Sequence, residues 1–306
     1  MAFQVKILGS NSATPAHNRN QTAQLLIAEN EYYLIDCGEG TQMQLIRYRI
    51  RFHKISCIFI SHLHGDHYLG LMGLLLTMHL QGREHDLHVF GPAGLDEIIT
   101  IQLKHSGTVL SYKVYFTALQ ANATGVIFES RLLSVRTVPL VHRIACTGFV
   151  FSEKPKSRRF NKARLQEDMT GDDINQLKQG NDIYTPEGEL KYRCIDYTLP
   201  PRRSRSYAYC SDTRYEPAII PLIKNVDVLY HESTFTQEFA ERATATYHST
   251  ALQAAQIAKE ANVNMLLLGH YSVRYKDLTP LLVEARQEFY NTRLAVEGET
   301  IDIGEE

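Results

Sequence analysis

No two of the five cysteines, Cys37, Cys57, Cys146, Cys194 and Cys210, stand in a C-x-x-C pair. Their odd number and wide spacing argue against a disulfide framework and suit buried thiols in a reducing cytosol. Strong charge of either sign is also missing: 32 Lys and Arg against 34 Asp and Glu leave a net charge of −2 with His neutral. Nothing global announces a polyanionic partner, so any nucleic acid has to be met by a local basic patch. Long apolar runs are missing too. The longest, Leu69 to Leu80, is too short to span a bilayer and carries Thr77 and His79. Met1 to Ser10 lacks a charged segment followed by a long apolar core. It reads as a first strand, Phe3–Leu8, and not as a signal peptide. A cytoplasmic protein with no membrane association is expected. What remains is an ordinary globular composition, 44% apolar, in a chain long for one domain and short for two.

Against that background one stretch stands out. Ser61-His62-Leu63-His64-Gly65-Asp66-His67 follows directly on an apolar run, Ile55 to Ile60. Imidazole and carboxylate are the usual ligands of borderline metals such as zinc. With spacing H-x-H-x-D-H, the first two histidines can share one ion while the Asp and His at the start of the next helix turn to a second. Such density is notable when His is only 13 of 306 residues. A dinuclear site needs further ligands, and three candidates stand at predicted strand ends: His142, Asp212 and His270. In layered α/β folds sites gather at such ends. Taken singly, each is as readily a hydrogen-bonded structural residue.

The first third alternates strand and helix patterns. Strands are predicted over Phe3–Leu8, Ala23–Ala28, Tyr32–Asp36, Ile55–Ile60 and Leu87–Phe90, and helices over Gln42–Tyr48, Tyr68–Leu80 and Leu95–His105. Strands dominate from Lys113 to Phe151. A polar, Pro-containing segment follows, from Ser152 to Ser206. Alternation then returns: strand Val226–Tyr230, helix Ala251–Glu260, strand Asn264–Leu268, helix Leu278–Tyr290 and a closing strand near Arg293–Val296. The expectation is one α/β domain over residues 1–306 with a polar insertion at about 152–206.

Several segments together resemble the ribonuclease Z family, in its short form, within the metallo-β-lactamase superfamily. They are Arg49 to Ile55, the His62–His67 motif with Gly70-Leu71, His231-Glu232-Ser233-Thr234-Phe235, His248-Ser249-Thr250-Ala251 and Gly269-His270-Tyr271-Ser272-Val273-Arg274-Tyr275. The loop Thr14-Pro15-Ala16-His17-Asn18-Arg19-Asn20 is similar to the family's Pro-x-x-x-Arg-Asn loop near the active site. The superfamily motif is shared by hydrolases of many kinds; the other segments narrow the likeness. Two departures stand out. Cys210-Ser211-Asp212-Thr213 replaces the frequent Ser-Gly-Asp-Thr. Glu167 to Asp173 replaces the Gly-Pro-rich tip common in the family's projecting RNA-binding arm.

The resemblance implies an αββα sandwich of two mixed sheets flanked by helices, with an inserted arm. It implies two zinc ions per subunit: His62, His64 and His142 on one, Asp66, His67 and His270 on the other, Asp212 bridging. It also implies a homodimer acting on precursor tRNA. Asp66 is then placed to handle the proton of the attacking water. His248, backed by Glu232, is a candidate proton donor to the leaving ribose oxygen; alternatively the pair only orients ligands. Arg274 is read as a phosphate clamp or a salt-bridge partner, and Arg19 as substrate-binding. Lys154, Lys156, Arg158 and Arg159 begin one basic run, and Arg202-Arg203-Ser204-Arg205 form another. They read as a patch for the backbone of the tRNA body, against the plain alternative of a solvated face. The competing functions are a small-molecule phosphodiesterase, which has no need of an arm, and a non-catalytic relative, for which seven intact ligand positions are not expected.

Overall fold

The computed structural model describes residues 2–120 and 122–304; the outermost residues of the expected domain, and Ala121, lie outside them. The chain divides into two compact units, Met1–Phe151 with Ser206–Glu306, and Ser152–Arg205.

The larger unit is built on two mixed sheets, each of seven strands among the described residues. The first sheet runs, in spatial order, Thr300–Asp302, Phe3–Gly9, Ala23–Ala28, Glu31–Ile35, Ile55–Phe59, Leu87–Pro92 and Val114–Leu119. The second runs Thr292–Leu294, Met265–Gly269, Val228–Glu232, Ser206–Cys210, Cys146–Glu153, Leu133–Leu140 and Val126–Glu129. Strand periodicity places alternate side chains on opposite faces. Phe3, Val5 and Ile7 therefore meet Phe149, Phe151, Tyr207 and Tyr209 in one core between the sheets. The opposite faces are covered by helices. Ile58 and Ile60 pack with Leu71, Leu74 and Leu75 of helix Leu71–Leu80, and Leu266 and Leu268 with Ala254, Ala255 and Ala258 of helix Ala251–Glu260. Parallel strands covered on both faces read as continuous apolar runs, as Ile55–Ile60 does.

Two elements differ from expectation. The single helix predicted over Tyr68–Leu80 is two: a short one, Gly65–Tyr68, then Leu71–Leu80. The break is at Gly70, where a Cβ would stand 2.2 Å from the Gly38 carbonyl oxygen, and the Gly70 N–H donates to Cys37 O at 2.9 Å. That close approach presses the Asp66–His67 turn against the end of the neighbouring strand. The closing strand is also not the last. Thr300–Asp302 returns to the first sheet and pairs antiparallel with Phe3–Gly9. Three residues carry too little periodicity to announce a strand.

The smaller unit has its own small core of Leu177, Tyr192 and Cys194. The acidic segment at its expected tip supplies a helix start: Thr170 and Asp173 form a capping box for helix Gly171–Gln179. Short antiparallel pairs join Ile183–Tyr184 to Leu190–Tyr192 and Arg159–Phe160 to Thr198–Leu199. No helix among the described residues is long and apolar enough to cross a membrane.

Candidate active site

Parallel strands bring their carboxyl ends to one edge. Cys210 pairs with His231, His231 with Leu268, and Glu232 with Gly269, so Asp212, Glu232 and His270 leave neighbouring strands side by side. From the first sheet, the segment after Ile55–Phe59 delivers His62 and His64, and the short helix delivers Asp66 and His67. His142 follows strand Leu133–Leu140.

These side chains sort around the two oxygens of Asp212. Oδ2 lies 3.7 Å from His62 Nε2 and 3.6 Å from His142 Nε2. His64 Nδ1 stands 3.0 Å from His62 Nε2 and 3.1 Å from His142 Nε2. Oδ1 faces the other group, 3.3 Å from His67 Nε2 and 3.0 Å from His270 Nε2. Asp66 Oδ2 closes that group, 3.3 Å from His67 Nε2 and 3.4 Å from His270 Nε2. Within each group the donor atoms lie within 4.8 Å of one another.

The donor chemistry fits a pair of borderline cations. His67 Nε2 supplies an independent test. It is fully buried and, despite two oxygens at 3.3 Å, makes no hydrogen bond. A buried polar atom left so is costly unless something else meets it. Its ring is turned that way from behind: Asp36 Oδ2 accepts from His67 Nδ1 at 2.7 Å, which leaves Nε2 as the ligand nitrogen. The carboxylates gathered here favour positive charge at this place, which a bound cation would supply in place of a proton. Burial opposes charge on Asp212, but His270, His67 and His62 hold its carboxyl well below the usual range. His67 is pushed the other way: burial opposes its charge, and Asp212, Asp66 and Asp36 raise it well above the usual imidazole range.

Asp36 was missed in the sequence, where it reads only as the end of a strand. It is buried and left-handed, with φ 53°, a conformation Asp tolerates better than most residues. It also accepts from Ser61 N at 2.7 Å, Ser61 Oγ at 2.8 Å and, from the facing sheet, Tyr209 Oη at 2.6 Å.

Glu232 is buried and takes Thr213 N–H at 2.8 Å, Thr234 Oγ1–H at 2.6 Å and His248 Nδ1–H at 2.8 Å. Burial works against a charged His248, yet the Glu232 carboxylate prevails and raises its pKa to about 9. The His248 ring centroid is 5.2 Å from that of His142 and 5.5 Å from that of His270. With His64, Asp66, His142, Asp212 and His270 it lines a cavity of about 530 Å³.

The other candidates are placed differently. Arg19 donates to Asn11 Oδ1 at 3.0 Å and Tyr275 O at 2.5 Å, tying its loop to the 271–276 segment. Arg274 is exposed, its guanidinium 4.7 Å from the Phe239 ring centroid and 5.9 Å from that of Phe235. In the smaller unit, Lys156 Nζ donates to Glu153 at 2.6 Å, Arg205 donates to the same carboxylate at 2.8 Å, and Arg158 Nε donates to Thr198 Oγ1 at 2.6 Å. Lys154 is half-buried and Arg159 exposed. Arg143 and Arg242 line the cavity as well; neither lies in a motif, and the sequence singles out neither.

Comparison with known proteins narrows the reading. The sequence profile of the family described as "Anti-Pycsar protein Apyc1" matches residues 3–155. It therefore takes in the His62–His67 motif and His142 but ends before Asp212, Glu232, His248 and His270. The ribonuclease Z of Cytophaga hutchinsonii is 52% identical over 305 residues, covering 100% of this chain and 97% of that protein. The chain belongs to the ribonuclease Z family. The ribonuclease Z of Bacteroides fragilis, 44% identical, covers 98% of this chain and 99% of its own length. Among solved structures, human tRNase Z, short form, superposes with a TM-score of 0.72 at 27% identity, over 99% of this chain and 100% of that one. The metallo-β-lactamase fold protein YhfI from Bacillus subtilis shares the fold, with a TM-score of 0.69 at 19% identity over 98% and 99%. Membership in this metallo-β-lactamase-fold family implies metal use, and the clustered imidazoles and carboxylates are where a metal fits.

Proposed function

We propose that this chain is the metal-dependent endoribonuclease that removes 3′ trailers from tRNA precursors, leaving a 3′-hydroxyl on the tRNA and a 5′-phosphate on the trailer. The observation that carries this is the sorting of His62, His64 and His142 against one oxygen of Asp212 and of Asp66, His67 and His270 against the other, beside the His248–Glu232 pair. The match to ribonuclease Z relatives runs the whole length, the inserted unit included, which supports a large RNA over a small ester.

The two groups would each hold one zinc ion, with Asp212 shared. Such ions lower the pKa of water and offset charge developing on a phosphodiester. The chain's own groups supply the rest. Asp66 directs Oδ2 at His67 and His270, and its Oδ1 takes the proton of the attacking water. His248 gives a proton from Nε2 to the leaving ribose 3′ oxygen. Glu232, hydrogen-bonded to Nδ1, fixes the tautomer and holds the ring charged. Arg274 clamps a phosphate, its guanidinium held near two aromatic rings. The enzyme works as a cytoplasmic homodimer. Incubating zinc-loaded protein with end-labelled precursor tRNA and mapping both ends is expected to give those two termini, with two metal equivalents per chain by elemental analysis. Absence of metal after reconstitution overturns the reading.

The Ser152–Arg205 unit is read as the RNA-binding arm. Arg159, Arg164 and Arg202 are exposed, whereas Lys156 and Arg205 are both engaged by the Glu153 carboxylate. Replacing the three exposed arginines by Ala is expected to make the log–log salt dependence of precursor binding shallower, by about 0.9 for each phosphate no longer neutralised. Replacing Lys156 and Arg205 should change that slope little. Charge replacement is a cleaner probe than excision, because removing residues 160–181 would take Leu177 from the small core. Equal loss on precursor tRNA and on a chromogenic phosphodiester would refute the arm assignment.

A further inference from the structure

Two arginines line the cavity and a third stands over a neighbouring tyrosine, none with an ion-pair partner among the described residues. Arg143 directly follows His142, Arg242 lies on helix Ala240–Thr246, and both line the cavity with Thr246 and His248. Arg214 follows Asp212 by two residues, and its backbone N–H donates to Val141 O at 3.0 Å. All three are exposed. Tyr247 sits between Thr246 and His248 in the chain and keeps 36% of its surface open. The Arg214 guanidinium stands 6.0 Å from the Tyr247 ring centroid. The tyrosine's backbone is fixed independently of its ring, because Tyr247 O accepts from His142 Nδ1 at 3.0 Å. The tyrosine's main chain is therefore tied to a ligand histidine, and no hydrogen bond is needed from its ring to hold it there.

An exposed aromatic side chain with one guanidinium near its ring, next in the chain to residues of a cavity lined by two more, is the chemistry that receives a nucleotide: a base stacks on the ring and a phosphate meets the arginines. We propose that Tyr247, Arg143, Arg214 and Arg242 form a subsite for the RNA nucleotide whose 3′ oxygen leaves. Its base stacks on Tyr247 and its 5′ phosphate faces the guanidinium groups. The side of the scissile bond follows from adjacency. His248 is the next residue in the chain and protonates the leaving oxygen, so the nucleoside that carries that oxygen lies against the His248 segment. This inference rests on the function proposed above.

The test uses zinc-loaded full-length protein and precursor tRNA carrying either the normal base or an abasic residue at the nucleotide before the cleavage point. For the unaltered chain the abasic residue is expected to raise KM about 10-fold, within the range of a base–aromatic stack. Tyr247→Ala raises KM on the normal precursor by about the same factor, with kcat within about threefold and metal content unchanged. On the abasic precursor Tyr247→Ala adds less than about twofold, because the interaction is already gone. Tyr247→Phe keeps the ring and restores the KM. Arg143→Ala with Arg242→Ala makes the salt dependence shallower by up to about 0.7, the contribution of the one single-strand phosphate they face. Penalties from Tyr247→Ala and the abasic residue that multiply independently, or a Tyr247→Ala chain with normal KM, overturn the subsite alone. An unaltered chain that leaves the precursor uncut overturns the proposed function and the subsite with it.

Discussion

His248→Ala lowers kcat on precursor tRNA by about 10²- to 10⁴-fold, the usual contribution of a positioned general acid, while KM and metal content stay near those of the unaltered chain. The ring is the group in the cavity equipped to give up a proton to an alkoxide. It is held charged by Glu232 at 2.8 Å, with its pKa raised to about 9. A general acid works only while protonated, so the rate falls as pH rises through that value. Glu232→Gln removes the carboxylate that keeps the imidazole charged and leaves burial, which lowers the pKa. The alkaline limb of the pH–rate profile then moves to lower pH. A pH–rate profile and elemental analysis on both variants decide the matter: loss of metal from the His248→Ala chain would show that the pair orients ligands and does not donate the proton.

Asp212→Ala disturbs both ions at once. Its two oxygens face different groups, Oδ2 toward His62 and His142 at 3.7 and 3.6 Å, and Oδ1 toward His67 and His270 at 3.3 and 3.0 Å. Removing it takes a ligand from each group and leaves the cluster of imidazoles without its central negative charge. Metal affinity falls at both positions by more than the roughly 10- to 100-fold that follows loss of an outer partner, and cleavage of precursor tRNA disappears with it. His142→Ala contrasts sharply, since it touches one group and weakens mainly one ion. Competition with a chromophoric chelator, read as a two-step isotherm, separates the two variants. An Asp212→Ala chain that lost only one equivalent would mean that Asp212 serves a single ion.

The same division, between what acts within a segment and what acts across the fold, governs how much of this protein can be read from its residues. The apolar run Ile55–Ile60 and the dense His62–His67 motif are adjacent in sequence, and a strand leading into a tight turn needs no distant partner to announce itself. Periodicity likewise placed the two long C-terminal helices and the strand between them, because a strand covered on both faces or a helix covered on one has to carry its burial pattern locally. Strand ends offered His142, Asp212 and His270 as candidates and motif likeness added Glu232 and His248, scattered over more than a hundred residues, but as a list without a geometry.

Tertiary structure decided the rest. That the two oxygens of Asp212 divide the histidines into two groups follows from the adjacency of three parallel strands in one sheet and the facing of that sheet against another. Asp36 matters because Tyr209 crosses between the sheets to reach it and His67 leans on it from behind; nothing in the local sequence distinguishes it from any aspartate that ends a strand. Arg19 is turned toward the carbonyl of Tyr275, Glu153 pairs with Arg205, and Arg214 reaches the Tyr247 ring only once strands and helices far apart in the chain have packed. The sequence by itself determined which segments are strands and helices and which chemistry the molecule has at hand, because those follow from short-range periodicity and from local ligand density. Which atoms face one another was decided by the folded structure, because a contact between residues 36 and 209 has no signature in either neighbourhood and exists only after two sheets have closed on a common core.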